Sequence, residues 1–148
     1  PEVAPGECDA LVSAVDLFAT ITDLALVPQS AEDSVSLLPY LRGNLRPRRT
    51  TVYSEYFTPN FVSPDKPHTP PFNPSLHART IRNERYKLIR YTTLAGLEEE
   101  LFFDLDLDPC ETLDLCPGFA PCDGGDLTPE QQANLQSLRD ELQELGVL

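Results

Sequence analysis

Methionine is absent from this 148-residue chain, which opens on Pro1, so the sequence reads as a piece of something longer or as a processed product. Long apolar runs are absent too. No stretch approaches the roughly 20 apolar residues that a bilayer-spanning helix needs, and no basic-then-apolar leader opens the sequence, so the piece reads as soluble with any targeting signal upstream. Histidine is scarce, and His68 and His77 are the only side chains that ordinarily titrate near neutral pH. Cysteine is present but in the wrong spacing for zinc. Cys110, Cys116 and Cys122 stand at C-x5-C-x5-C in a Pro/Gly-rich stretch, whereas zinc ligands are typically separated by about two to four residues and usually include His. A Cys116–Cys122 or Cys110–Cys122 disulfide is open in an oxidising compartment, with Cys8 as another candidate partner; plain thiols are the alternative.

Basic charge is the next shortage. A net charge of −13 argues against nucleic acid as a partner for the whole surface. Ten of the eleven Lys and Arg residues fall between Arg42 and Arg90, where Glu55, Asp65 and Glu84 are the only acids. This basic middle either pairs with the acidic ends or presents part of itself to an anionic substrate. The length suits one core, enough to bury about 70% of the surface an unfolded chain exposes.

Between Asp9 and Val27 the polar residues Asp9, Ser13, Asp16, Thr20 and Asp23 recur at helical spacing, with apolar residues filling the rest. The pattern predicts a helix with one narrow wet stripe, Asp9 as its N-cap, and an end forced before Pro28. So apolar a helix needs burial over most of its circumference, which implies a missing neighbour built on a large sheet. Ser36 to Gly43 predicts a short helical turn, with Pro39 in its first turn and Gly43 at the left-handed position after it.

Four strands are expected: Thr51 to Phe57, Ala78 to Asn83, Tyr86 to Tyr91 and Glu100 to Leu105. The middle two form a hairpin turning near Glu84-Arg85, with Ile81, Tyr86 and Leu88 facing a core. In the last strand Leu101, Phe103 and Leu105 point one way, and Phe102 and Asp104 the other. Thr58 to Ser75 holds six prolines, three of them (Pro64, Pro67, Pro70) in polyproline II register. This loop is long enough to be functional or a flexible insertion. Near the C-terminus Thr128-Pro129-Glu130-Gln131 forms a capping box, followed by a seam of Leu135, Leu138, Leu142 and Leu145 that should lie on the sheet before Gly146 ends the helix. The fold class is α+β: a small antiparallel sheet of about four strands packed by a C-terminal helix, preceded by an apolar helix that belongs to a missing α/β domain.

Several of these phrases occur in order in one family. Arg79 to Ile89 matches R-x-x-R-x-x-R-Y-K-x-I, and Glu100 to Leu115 matches E-L-F-D-L-x-x-D-P-x-E-T-x-x-L with one extra Phe. Upstream, Val15 to Ala25 matches V-D-L-x-x-T-x-x-D-L-A, and Ser34 to Gly43 matches G-x-S-L-L-P-x-L-x-G with Ser34 replacing the first Gly. The chain resembles the C-terminal region of a sulfatase of the arylsulfatase-like, alkaline-phosphatase superfamily. That resemblance implies that residues 1–45 are the terminal helical part of the catalytic domain and that residues 46–148 are the C-terminal subdomain, with a Pro-rich loop at 58–75. The implied activity is hydrolysis of sulfuric esters, by a hydrated formylglycine beside a calcium-like cation.

The catalytic parts that the family needs are not in this stretch. No cysteine or serine here begins the family's C/S-x-P/A-x-R motif, and no Asp-Asp, Asp-Asn or Asp-His pair offers the metal ligands. Catalytic and metal-ligating residues are therefore expected to be none, with calcium and formylglycine supplied elsewhere in a full-length enzyme and the isolated stretch inactive. Asp104, Asp106 and Asp108 imitate the start of a calcium loop, but Pro109 and Leu115 stand where Gly and Glu are needed, so they read as turn caps and solvated carboxylates. By resemblance, a loop folded over the active-site mouth would bring His77, Arg79 and His68 to the substrate, because an Arg fork suits oxyanions; the alternative pairs them with Glu55 or with Glu98 to Glu100. Implied partners are the chain's own catalytic domain and a sulfated small molecule or glycan, and the implied location is periplasmic, secreted or lysosomal. Two other functions stay open: a non-catalytic interaction module acting through the proline loop, and the tail of a related phosphodiesterase or phosphonate hydrolase.

Overall fold

In the computed structural model the described residues are 6–28, 33–44, 46, 48–58, 76–93, 96–118 and 121–145. Elements follow in the order α1 (Asp16–Leu24), α2 (Leu38–Leu41), β1 (Val52–Thr58), β2 (Leu76–Arg82), β3 (Tyr86–Thr93), β4 (Glu98–Asp104) and α3 (Pro129–Glu144). The proline loop, with His68, lies outside the described residues apart from Thr58 at its start, as does Gly146. The chain divides into two compact units, Pro1–Val52 and Tyr53–Leu148.

The first unit departs from its sequence pattern. Its helix starts at Asp16 rather than Asp9, and Val15 occupies the cap position without a side-chain cap. Asp16 explains the late start: its Oδ2 accepts the Ser13 N–H at 2.8 Å, while Arg49 Nε donates to the same oxygen at 2.8 Å, pinning the turn that opens the helix. The middle of the polar stripe is dry where wetness was expected, while Asp9 and Asp23 at its ends are exposed. Asp16 is 1% exposed and Thr20 is buried as well. Thr20 Oγ1 donates to the Asp16 carbonyl and accepts the Leu37 N–H, while Ser34 Oγ donates to the Val15 carbonyl and accepts the Ala19 N–H. These hydrogen bonds turn the polar side of α1 onto the 33–37 segment, leaving Val15, Leu17, Phe18, Ile21 and Leu24 half or more exposed.

Both helices of this unit end in the same backbone motif. After α2 the Asn44 N–H reaches the Pro39 carbonyl and the Gly43 N–H reaches Tyr40, with Gly43 at φ 82°, as its sequence position predicts. After α1 the Val27 N–H reaches Thr22 and the Leu26 N–H reaches Asp23, but the left-handed residue is Leu26, at φ 56°.

The second unit is the α+β arrangement expected from the sequence: a four-stranded antiparallel sheet in the order β1-β2-β3-β4 with α3 against it. The hairpin turn falls at residues 83–85, where the Asn83 side-chain oxygen accepts the backbone N–H of Arg85 and Tyr86. Ile81 pairs with Leu88, and Leu88 with Phe102, so one face carries an apolar row. Onto it pack Leu135, Leu138 and Leu142 of α3, with Tyr86 stacked on Phe102 at 5.3 Å between ring centroids. The capping box at Thr128 forms as expected: its hydroxyl accepts the Gln131 N–H, and the Gln131 side chain accepts the Thr128 N–H. The leucine seam stops one turn early, because Leu145 is exposed past the edge of the packed face. Cys116 and Cys122 form a disulfide, and Cys8 and Cys110 are exposed thiols.

Candidate functional site

Strand alternation places His77 and Arg79 on the same face as Ile81, the face that α3 covers lower down. Register then lines up charged residues across the sheet. Arg79 pairs with Arg90, and Arg90 pairs with Glu100. One step further out, His77 pairs with Thr92 and Thr92 with Glu98. The face is therefore apolar at one end and polar at the other.

Glu100, 0% exposed, is the fixed point of that polar end. Arg90 donates to its Oε1 through Nε at 3.0 Å and Nη2 at 2.7 Å, Arg139 of α3 bonds both carboxylate oxygens, and the Cys122 N–H reaches Oε2 at 3.1 Å. Arg139 also donates to the Cys122 carbonyl at 2.6 Å, so the disulfide loop, the helix and two strands meet on one carboxylate. Burial opposes ionisation of Glu100, but the two guanidinium groups outweigh it and hold the carboxyl below its usual range.

Next to this network Arg79, 5% exposed, donates from Nη2 to Thr92 Oγ1 at 2.9 Å, and its buried Nε has no hydrogen-bond partner among the described residues. His77 Nε2 lies 3.8 Å from Glu55 Oε1. Burial and then the neighbouring Arg79 push the imidazole below its ordinary value, against the pull of Glu55, so at neutral pH the ring is uncharged and the contact with Glu55 is polar rather than ionic. Glu55 also accepts the Tyr53 hydroxyl; burial and this hydrogen bond push the phenol upward. His77 and Arg79 are thus brought together, and Glu55 is their neighbour as one of the two sequence readings anticipated. Their arrangement groups a buried arginine with an unsatisfied Nε, a neutral imidazole and hydroxyls on one face. It contains no nucleophile held by a base.

Other carboxylates are already used. Asp104 is bound by Arg85 at 2.8 Å, and Arg85 continues to Glu130 at the start of α3. Asp108 accepts the Thr112 hydroxyl and the Leu113 N–H, and Asp114 accepts the N–H of Phe102 and Cys116. The D-x-D-x-D run is therefore a set of turn caps and an ion pair, and no group of three or more metal-binding side chains converges among the described residues. A cavity of about 350 Å³ lies in the loop closed by the disulfide, edged by Pro117, Asp123 and Asp126, and includes neither His77 nor Arg79. Among the described residues, no helix is long and apolar enough to cross a membrane.

The fold that carries these residues is similar to that of solved sulfatases. A 2-O GAG sulfatase matches 88% of this chain at 26% identity and a TM-score of 0.59. A Bacteroides thetaiotaomicron protein assigned as a sulfatase matches 87% at 27% identity and a TM-score of 0.59. This is the fold of a sulfatase C-terminal region. A third structure, a protein in complex with its substrate D-glucosamine-2-N,6-O-disulfate, shares the fold at 20% identity over 86% of this chain, with a TM-score of 0.57. In each case the match spans 23% of the other chain, so this chain corresponds to less than a quarter of those proteins. No protein-family model and no curated protein sequence matches the chain.

Glu100, Arg90 and Arg139 were missed as a unit by the sequence reading. The available signal was in the strands: Arg90 and Glu100 occupy positions whose alternation with Leu88 and Phe102 points them inward, where a charge must find a partner.

Proposed function

We propose that this polypeptide is the C-terminal portion of a sulfuric ester hydrolase, in which it shapes substrate access while the nucleophile and metal lie in the rest of the protein. The carrying observation is the likeness to sulfatases over nearly all of this chain and under a quarter of theirs. The residues here do not fit the family's formylglycine or calcium: Cys116 and Cys122 are bonded to each other, no cysteine has Arg four positions on, and the clustered aspartates are committed to Arg85 and to backbone N–H groups. No chemical step is assigned to this stretch.

Its own contribution is recognition. Arg79 and His77, on the strand that follows the proline loop, are the residues we assign to contact with a sulfated glycan, the substrate class suggested by the names of the matched proteins. Arg79 keeps a buried, unsatisfied Nε–H, so a rearrangement that uncovers this edge would let the fork take an oxyanion, and a neutral histidine beside it can donate to or accept from a sugar hydroxyl. An oxidising setting, periplasmic, secreted or lysosomal, is supported by the Cys116–Cys122 disulfide.

The test is sulfate release from 2-O-sulfated and N,6-O-disulfated glucosamine-containing saccharides. A sulfatase-length protein carrying this sequence is expected to release sulfate, and Arg79→Ala to raise KM more than it lowers kcat. The 148-residue chain alone is expected to release none. Turnover by that chain, or hydrolysis of phosphodiesters in place of sulfates by the longer protein, overturns the reading.

A further inference from the structure

The turn between the disulfide and α3 reads Cys122-Asp123-Gly124-Gly125-Asp126, and Asp123-Gly124 is the single Asp-Gly pair of a chain that has no Asn-Gly pair. Aspartate followed by glycine is a reactive phrase. Glycine carries no side chain to shield its own nitrogen, so that nitrogen can reach the carboxyl carbon of the residue before it. Asp123 is exposed, its Oδ1 accepts the Gly125 N–H at 2.9 Å, and Gly124 stands at φ 73°. This hydrogen bond folds the carboxyl group forward over the Gly124 unit, and no hydrogen bond holds the Gly124 N–H among the described residues. The backbone is tethered on both sides of the pair. Cys122 is fixed by its disulfide, by its N–H on Glu100 and by its carbonyl under Arg139. The Gly124 carbonyl accepts the Leu127 N–H at 3.1 Å and Gln132 Nε2 at 2.9 Å, at the approach to α3. Asp123 spans the gap between these two anchors.

We propose that Asp123-Gly124 is a self-modification site, at which the chain rearranges through a cyclic imide into an isoaspartyl linkage and slackens the loop that covers Glu100. The Gly124 nitrogen attacks Cγ of Asp123; the new C–N bond replaces a C–OH bond, and the amide hydrogen and the hydroxyl leave together as one water. Hydrolysis returns that water. Breaking the bond from the nitrogen to Cγ restores aspartate, whereas breaking the bond from the nitrogen to the Asp123 main-chain carbonyl carbon leaves the chain running through Cβ and Cγ with the main-chain carboxylate set free. Nothing is oxidised or reduced, and water, which reaches the exposed Asp123, is the only reagent. The isoaspartyl unit makes the main chain one methylene longer between Cys122 and Gly124. The disulfide is covalent, so the hydrogen bonds give way: the Cys122 N–H on Glu100 and the Cys122 carbonyl under Arg139. Their loss lets the loop open locally over a buried carboxylate while the strands stay paired.

The folded 148-residue chain is stored warm in neutral buffer, and its proteolytic peptides are followed over time. A peptide of unchanged mass but altered elution is expected to accumulate, to accept methyl groups from S-adenosylmethionine through an isoaspartate-specific carboxyl methyltransferase, and to place the new linkage at Asp123 on fragmentation. Conversion at Asp123 is expected to run several times faster than at the exposed Asp106 and Asp126, each of which precedes a leucine. Asp123→Glu should block it, because closing the larger six-membered imide is far slower. Asp123→Asn should reach the same isoaspartyl product sooner, with loss of ammonia in place of water. In the converted fraction, hydrogen exchange at Cys122 and Arg139 is expected to quicken several-fold over fresh protein, and stored Asp123→Glu chain should show no such change. Conversion at Asp123 no faster than at Asp106 and Asp126, an Asp123→Asn chain that stays intact, or isoaspartate with unchanged exchange at Cys122 and Arg139 each overturns the proposal.

Discussion

Each unit of this chain buries a carboxylate under arginine, yet the surroundings are opposite. In the second unit Glu100 sits at the polar end of a sheet whose other end is closed by Ile81, Leu88, Phe102 and the α3 leucines. In the first unit the buried side chains among the described residues are Asp16 and Thr20, Asp16 held by the partly exposed Arg49, while the large apolar residues of α1 are half or more exposed. Polarity along a helix therefore says which residues share a side, not which side faces water. That second question is answered by whatever else is folded against the helix.

The largest expected effect concerns Glu100. Replacing it by Ala leaves Arg90 and Arg139 facing each other without a counter-charge, at a cost of about 3–5 kcal/mol in the second unit, measured by urea unfolding. A loss below about 1 kcal/mol would show that solvent reaches the pair and that the two buried carboxylates differ less than described. The same substitution should alter acid sensitivity. Glu100 is held below its usual value in the fold, so as pH falls the unfolded chain takes up the proton first; the stabilisation is complete above about pH 5 and disappears as pH drops through the folded value. The Ala variant should lack that portion of the acid limb.

Core truncation separates the units next. Leu138→Ala should cost about 3 kcal/mol, whereas Leu17→Ser on α1, a change of similar size at an exposed position, should stay within about 0.5 kcal/mol in the 148-residue chain. Comparable losses from both would mean that α1 is covered within this chain. Removing the disulfide as Cys116→Ser/Cys122→Ser should cost about 2 kcal/mol, as expected for a short closed loop, and hydrogen exchange should quicken around Cys122 and Arg139 before it does in α1. The smallest effect is at the capping box: Thr128→Ala should cost about 1 kcal/mol, again visible only in the second unit.

Much of the second unit was legible because its signals are local. Alternating β-branched and aromatic residues marked the strands, Asn83 sits where the hairpin turns, and Thr128 with Gln131 announces the helix start. Leu101 to Leu105 showed its alternation but not which side is inner; Phe102 and Asp104 are buried, and Phe103 of the other side is buried as well. What local pattern could not supply was long-range pairing. Arg139 meets Glu100 across 39 positions only because α3 packs on β3 and β2, and Arg49 meets Asp16 across 33. For the candidate site, strand alternation was enough to put His77 beside Arg79. The buried, unsatisfied Nε of Arg79 and the neutral state of His77 depend on what surrounds them in space.

Leu26 makes a last point about selection. Its left-handed backbone is a conformation that glycine adopts freely and that an ordinary residue adopts at about 1–2 kcal/mol, as the parallel motif at Gly43 illustrates. Yet the side chain held there is a leucine, 90% exposed in this chain. An exposed leucine held in a backbone that favours glycine is a local cost the chain carries at the end of α1. Leu26→Gly should relieve it and make the end of α1 exchange its amide protons more slowly.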